Sequence, residues 1–470
     1  METRLTESSE IAPEPLSSQG SDRSARMGTE PLGKLLLAFS GPAILAMLSA
    51  ALYNVADAFF MGKLGGDAIA GVTVAFPAMV GIMAFAGGTG VGLASAISRS
   101  LGAGDREGAR KLSGNGLLLV VVWGALTPAI SFPLMDLILR ASGASETVLP
   151  LGRDYFEVLA ASAVITFFVV VVNHVIRAEG NAVLPMVSMI SSALINIALD
   201  PLFIFTFDMG IRGAAWATVL SRLIGAVILG GYLLSGRSSL RPAFGHLVPD
   251  LRAWWEIYRT GAATVFRSAV QAGIFALINV VAAGFGDLAV AAVGIILRLT
   301  SFVMMPVFGL TQGYLPIAGF NFGAGQLDRV RKVTLLAAGW ATALTAVASG
   351  LFVAFPRFFA APFAPGDPAL EELATRSLQL FCLALAPAGA SVLLSTFFQA
   401  IGRGLPALIL SFARQLGFIL PLVLILPRFL GLDGLFLAQP LSDVAAFVIT
   451  VVWALVQFRQ LGIPVLRRGA

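Results

Sequence analysis

The sequence predicts an all-α polytopic membrane protein, with about twelve transmembrane helices in two pseudo-symmetric six-helix bundles. Composition, the length of the apolar runs and an internal repeat predict it. Of 470 residues, 57% are hydrophobic and 12% charged, where soluble domains carry about 25% charged residues. Mean hydropathy is +0.87. A bilayer core about 30 Å thick takes roughly 20 mostly apolar residues per helix, and such runs recur along almost the whole chain. Transmembrane strands alternate in polarity over about 10 residues. Stretches such as LLLVVVWGALTPAISFPLMDLIL are apolar all round, which excludes a barrel.

From the amino terminus, residues 1–30 are rich in Ser, Glu and Pro and lack the apolar centre of a cleavable signal peptide. They read as a disordered cytoplasmic tail. Apolar segments centred near Leu48, Ile82, Trp123, Ile165, Ala193 and Gly225 make a first bundle over 31–234, the first segment serving as its own insertion signal. Residues 235–250, SGRSSLRPAFGHLVPD, read as a cytoplasmic linker. Segments centred near Ala269, Val303, Ala343, Leu385, Leu420 and Phe447 make a second bundle over 251–460, and 461–470 a cytoplasmic tail. Connections of one parity hold Arg99, Arg106, Arg110, Lys111, Arg177, Arg237, Arg241, Arg252, Arg329, Arg331, Lys332 and Arg403, and the other parity far fewer basic residues. The positive-inside bias therefore puts both termini in the cytoplasm of a multi-pass bacterial inner-membrane protein. The net charge of +5 is scattered among short connections and forms no stripe, so no nucleic-acid partner is expected. The single cysteine, Cys382, has no partner for a disulfide and reads as a core residue.

The chain repeats. LGAGDREGARK, Leu101 to Lys111, returns as FGAGQLDRVRK, Phe322 to Lys332. RAEGNAVLP, Arg177 to Pro185, returns as QAIGRGLP, Gln399 to Pro406. DPLFIFTFDMGIRGAAWATVLS returns as LPLVLILPRFLGLDGLFLAQPLS, with Pro201 over Pro421 and Gly213 over Gly434. Each half holds an even number of helices, so both insert with the same orientation, related by an axis along the membrane normal.

NIALDPLFIF, Asn196 to Phe205, puts an acid inside an apolar run. A charged aspartate at mid-membrane costs roughly 2.5–3.5 kcal/mol on insertion scales, so its neighbours matter. Asn196 precedes Asp200 by one turn on the same face, and Pro201 should kink the helix and free the carbonyl of Ile197. Asp57 is the second acid of this half, with Tyr53 one turn before it. Hard oxygens suit a small cation, and a desolvated carboxylate can hold a proton; both couplings stay open.

The duplicated GAG-plus-basic loop, the NxxD of Asn54 to Asp57, NxxxDP and GxxGAAxAT resemble the multidrug and toxic compound extrusion (MATE) family, in its prokaryotic MepA/DinF-like type, from about residue 31 onward. The resemblance implies a two-bundle antiporter that exports small amphipathic, often cationic, drug-like compounds against H+ or Na+. It carries a coupling site, for a proton or for Na+, onto Asp57, Asn196, Asp200 and Thr218, with Tyr53, Asn54 and Asn173 lining the pocket. No cofactor beyond the coupling ion, no partner beyond substrate and membrane lipids, and a monomer are expected. Two neighbouring carboxylates would share one proton or one sodium ion. Against this stands the plainer role of Asn173 and Thr218 as hydrogen-bond partners between helices, and of His174 as an interface residue.

In the second half Leu420 replaces Asp200, and Arg267, Arg298, Arg414 and Asp443 lie in apolar segments as polar sites of that bundle. Arg414 and Asp443 are expected to pair. Unpaired arginines favour an anionic ligand, which makes a lipid or glycan-lipid flippase of the same superfamily the alternative. GGTGVGLAS, Gly87 to Ser95, has dinucleotide-like glycines but no preceding strand, and close helix packing explains it better. The sequence has no GxxxxGK[ST] or HExxH and no visible nucleophile–base pair, which argues against an ATPase, a zinc protease or any enzyme. The expected mechanism is rocking of the bundles about a central cleft, with bending near Pro42 or Pro201.

Overall fold

The computed structural model describes residues 18–462. The tail assignments for 1–17 and 463–470 lie outside the described residues. Helix α1 (Ser18–Thr29) is followed by α2 (Leu32–Lys63), α3 (Gly66–Gly102), α4 (Arg106–Ala141), α5 (Leu149–Ala161), α6 (Ala163–Ala178), α7 (Val183–Pro201) and α8 (Gly210–Leu234). Past the linker come α9 (Leu251–Ala283), α10 (Asp287–Gly323), α11 (Leu327–Ala354), α12 (Pro356–Ala360), α13 (Pro368–Cys382), α14 (Ala386–Ala400), α15 (Gly404–Phe412), α16 (Leu420–Leu430) and α17 (Leu432–Gln460). No strand occurs among the described residues. Among the described residues ten helices are long and apolar enough to cross a membrane, and up to twelve if each of two bent pairs is one span.

Those bent pairs correct the reading of the segments near Ile165 and Leu385 as single helices. α5 and α6 meet at 53°, and α13 and α14 at 50°. The Ser162 hydroxyl donates to the Leu159 carbonyl at 3.1 Å, competing with helix continuation. In the second bundle Pro387 stands in the first turn of α14, where a missing N–H is tolerated. The breaks fall at corresponding places in the two halves.

A second correction concerns residues 1–30, read as disordered from their polar composition. Residues 18–29 form α1, and its C-terminal carbonyls, which no helix can satisfy internally, are met by the second bundle. Asn321 Nδ2 donates to the Met27 carbonyl at 2.9 Å, and Arg329 Nη2 to that of Glu30 at 2.8 Å. Met27 is fully buried. On its other side α1 runs so close to the α6–α7 turn that a Cβ on Gly180, whose φ is +104°, would lie 2.8 Å from the Arg23 carbonyl oxygen. That turn also anchors the linker: Glu179 is fully buried and accepts from Ser238 Oγ at 2.9 Å, from Tyr232 at 3.3 Å and from the Ser239 amide. Burial holds the Glu179 carboxyl above its ordinary range, although these donors pull it back.

The two bundles touch along the halves of their helices nearest the linker. α3 packs on α9 through glycines: a Cβ on Gly92 would lie 2.0 Å from the Ile257 carbonyl oxygen, and one on Gly88 2.9 Å from that of Gly261. The glycines of GGTGVGLAS thus serve close backbone approach. α2 meets α10, where the Ser40 hydroxyl donates to the Leu310 carbonyl at 3.3 Å. Thr89 and Tyr258 hydroxyls pair at 2.9 Å, and Arg99 bonds Glu256 at 2.8 Å across the same seam.

Candidate functional site

The first bundle gathers its acids around one tyrosine. Asp200 ends α7 with its carboxylate fully buried, and Asn196 Nδ2, one turn earlier, donates to Asp200 Oδ1 at 3.2 Å. Immediately after Pro201 the backbone widens into a π segment, Leu202–Thr206, so the proline redirects the span without ending it. Asp57 on α2 is half-buried and close enough to Asp200 for the two carboxylates to repel. Between helices, the buried Tyr155 of α5 lies within electrostatic reach of Asp57, Asp200, Tyr53 and Arg222. Arg222 Nη1 on α8 donates to the buried Thr166 hydroxyl of α6 at 2.9 Å.

Three buried carbonyl or carboxylate oxygens of this cluster have no hydrogen-bond partner among the described residues: Asp57 Oδ1, Asp200 Oδ2 and Asn196 Oδ1. An unsatisfied buried acceptor costs roughly 1–3 kcal/mol. A proton, or a small hard cation, would supply the donor or the positive charge that these three acceptors lack. Among the described residues no three His, Cys, Asp or Glu side chains gather as for a transition metal, so a cation here would rest on two carboxylates and neutral oxygens.

The remaining expected residues divide. Thr218 is buried on α8, one turn before Arg222 and hence on the same face. Asn173 is buried, with Nδ2 donating to its own helix at Val169 (2.8 Å) and Oδ1 unpartnered. Tyr53 belongs to the cluster through Tyr155. Asn54 is exposed on α2, one turn before Asp57, and makes no hydrogen bond among the described residues. His174 packs edge-on against Gly90, where a Cβ would lie 2.4 Å from its Cδ2. Arg222, Tyr155 and Thr166 were not singled out from the sequence. Arg222 carried a readable signal, a charge inside the apolar run SRLIGAVILG; nothing local marks Tyr155 or Thr166.

In the second bundle Arg414 Nη2 and Nε donate to Asp443 Oδ1 at 2.7 and 3.0 Å, the expected pair, and Gln439 adds a bond to the same carboxylate at 3.2 Å. Arg414 stands in a second π segment, Ala413–Ile419, just before Leu420 and Pro421. Arg267 lines a cavity with Arg414, whereas Arg298 is exposed on α10 and lies outside that group.

This geometry has known counterparts. The MatE family model matches residues 42–202 and 263–425, one match in each bundle. The chain belongs to the MatE family. Among curated proteins it is similar to an FAD transporter of Shewanella oneidensis, at 29% identity over 88% of this chain and 92% of that one. It is also similar to the multidrug export protein MepA of Staphylococcus aureus, at 27% identity over 89% and 93%. Its fold matches a solved MATE transporter described as an outward-facing conformation of a multidrug resistance member, with a TM-score of 0.90, 26% identity and coverage of 96% and 100%. It matches equally a Pyrococcus furiosus transporter of the MOP superfamily, described by the reverse polarity of its binding pocket, at a TM-score of 0.89, 26% identity and the same coverage. The MatE chain is therefore a multi-pass membrane transporter and not an enzyme.

Proposed function

We propose that this MatE protein is an H+- or Na+-coupled antiporter that exports small amphipathic compounds by alternating access, and that Asp57 and Asp200 hold the coupling ion. The observation that carries the reading is the buried carboxylate pair with an unpartnered oxygen on each member, next to an unpartnered Asn196 Oδ1. Loading one proton or one Na+ removes the repulsion between the acids, and the π segment behind Pro201 is a natural place for the resulting bend. The seam near the linker is closed, which supports a state that exchanges substrate and ion from the opposite side, the outer one when the linker side is taken as cytoplasmic.

A proton moving inward down 100 mV supplies about 2.3 kcal/mol, enough for roughly a fiftyfold gradient of a neutral substrate. For a monovalent cationic substrate exchanged one for one, the voltage term cancels and the pH difference alone drives export. The test is dye efflux from vesicles under imposed pH and sodium gradients. Asp200→Asn and Asp57→Asn are expected to abolish its gradient dependence; unchanged efflux in both variants sinks the assignment.

The cationic substrate class implied by the resemblance meets a counter-observation, the unpaired Arg267 of the second bundle. It favours the second reading, transport of an anionic molecule such as a lipid-linked headgroup, and efflux panels of cationic, anionic and lipid probes separate the two.

A further inference from the structure

We propose that the polar cavity inside the second bundle holds a carboxylate group of the transported molecule, with Arg267 as its counter-ion. This rests on the reading of the chain as a transporter and names a substrate feature that the coupling site does not. The cavity, about 30 Å³, lies among α9, α14, α15, the π segment and α17. Around Arg267 stand Ser391, Ser395, Ser411, Arg414, Gln415 and Thr450.

Charge accounting singles out Arg267. Asp443 neutralises Arg414 through two hydrogen bonds. Arg267 makes no hydrogen bond or ion pair among the described residues and is repelled by Arg414, so the cavity carries one uncompensated positive charge within the membrane. Such a charge is costly there unless an anion meets it. The hydroxyls define the donors further. Ser391, Ser411 and Thr450 each donate to a carbonyl of their own helix, at 3.0, 2.9 and 2.7 Å. Arg267, Ser395 and Gln415 are left with free donors, enough for the two oxygens of a carboxylate. The volume admits a group of a few heavy atoms, so only the charged end of an amphipathic molecule enters.

The repeat gives the site a logic. Aligning the halves through Ser221 and Ser442 sets Arg222 over Asp443. The cluster of the first bundle therefore carries two acids, Asp57 and Asp200, near one arginine, Arg222, and the cavity of the second carries two arginines, Arg267 and Arg414, beside one acid, Asp443: a cation site and an anion site built on one scaffold with the signs exchanged.

The experiment uses rhodamine B, which bears a free carboxylate, and its ethyl ester, which lacks the charge and is otherwise the same. Equilibrium binding to the purified full-length protein is expected to favour the acid at least tenfold. Arg267→Gln should weaken the acid about tenfold and leave the ester unchanged, while Arg267→Lys retains part of the preference. No preference in the natural protein, a preference that survives Arg267→Gln, or equal weakening of both dyes overturns the proposal. Displacement of both dyes alike by phosphatidylglycerol vesicles would assign the site to a lipid phosphate and overturn it too. Failure of the coupling assignment is read separately, because dye binding is measured at equilibrium with no ion gradient: loss of gradient dependence in Asp200→Asn tests the coupling site, and loss of the acid-over-ester preference in Arg267→Gln tests this one.

Discussion

Asp200 and Arg222 both lie within electrostatic reach of Tyr155, with opposite signs. A unit charge several ångström away in a partly buried site is worth on the order of 1–4 kcal/mol. Removing Arg222, whose only hydrogen bond given by the structure goes to Thr166, should therefore strengthen cation occupancy of the acids. Arg222→Leu is expected to lower the half-saturating concentration of the coupling ion about tenfold, read from ion-dependent efflux; an unchanged value would show that the arginine is insulated from them. Glu179 poses a different question, because burial disfavours its charged form while three donors depend on its oxygens. Its folded-state pKa lies above the unfolded one, so its contribution to stability rises as pH falls through that raised value and is lost as pH rises back through it. Glu179→Ala should cost about 1–3 kcal/mol by stranding the Ser238, Ser239 and Tyr232 donors, lowering the Tm of the detergent-solubilised protein. Glu179→Gln should recover most of that loss.

Single elements connect these residues to the transport cycle. α1 touches both bundles on the closed side: its carbonyls meet Asn321 and Arg329, while Arg23 Nη1 donates to Tyr232 at 3.1 Å. Deleting residues 1–29 should lower Tm and speed labelling of a cysteine placed at Ser98 in the seam, without abolishing dye binding. Equal labelling rates would show that α1 rides on one bundle only. The span through Asp200 was legible at this scale, since a proline one residue past an acid announces a distorted helix, and the structure adds the form of the distortion, a π segment. The break of α5–α6 was not legible, because a hydroxyl bonding back at Leu159 looks, in sequence, like any other serine, whereas Pro387 marks the break of α13–α14. Polar composition also concealed α1, whose order comes from partners about 300 residues away.

For the molecule as a whole, the glycine-lined seam decides which face is shut. A Cβ on Gly319 would lie 3.0 Å from that of Ser98, within about half an ångström of the 3.5–4.5 Å a disulfide spans. In the double variant Ser98→Cys, Gly319→Cys, oxidation is expected to stop efflux and a reductant to restore it. The natural Cys382 is buried and should not interfere. Efflux that continues with the bond formed would mean that the bundles need not separate here.

What the sequence by itself determined was the membrane class, the duplication, the placement of Asp57, Asn196 and Asp200 in one half and the Arg414–Asp443 pair in the other. These follow from hydropathy and helical periodicity, which are local. Tertiary structure alone decided that Tyr155 lies within reach of both acids and of Arg222, and that Arg267 faces a cavity while Arg298 does not. Each of those depends on how helices distant in the chain rotate and approach, and glycine contacts such as Gly92 on Ile257 set that approach only once both partners are in place.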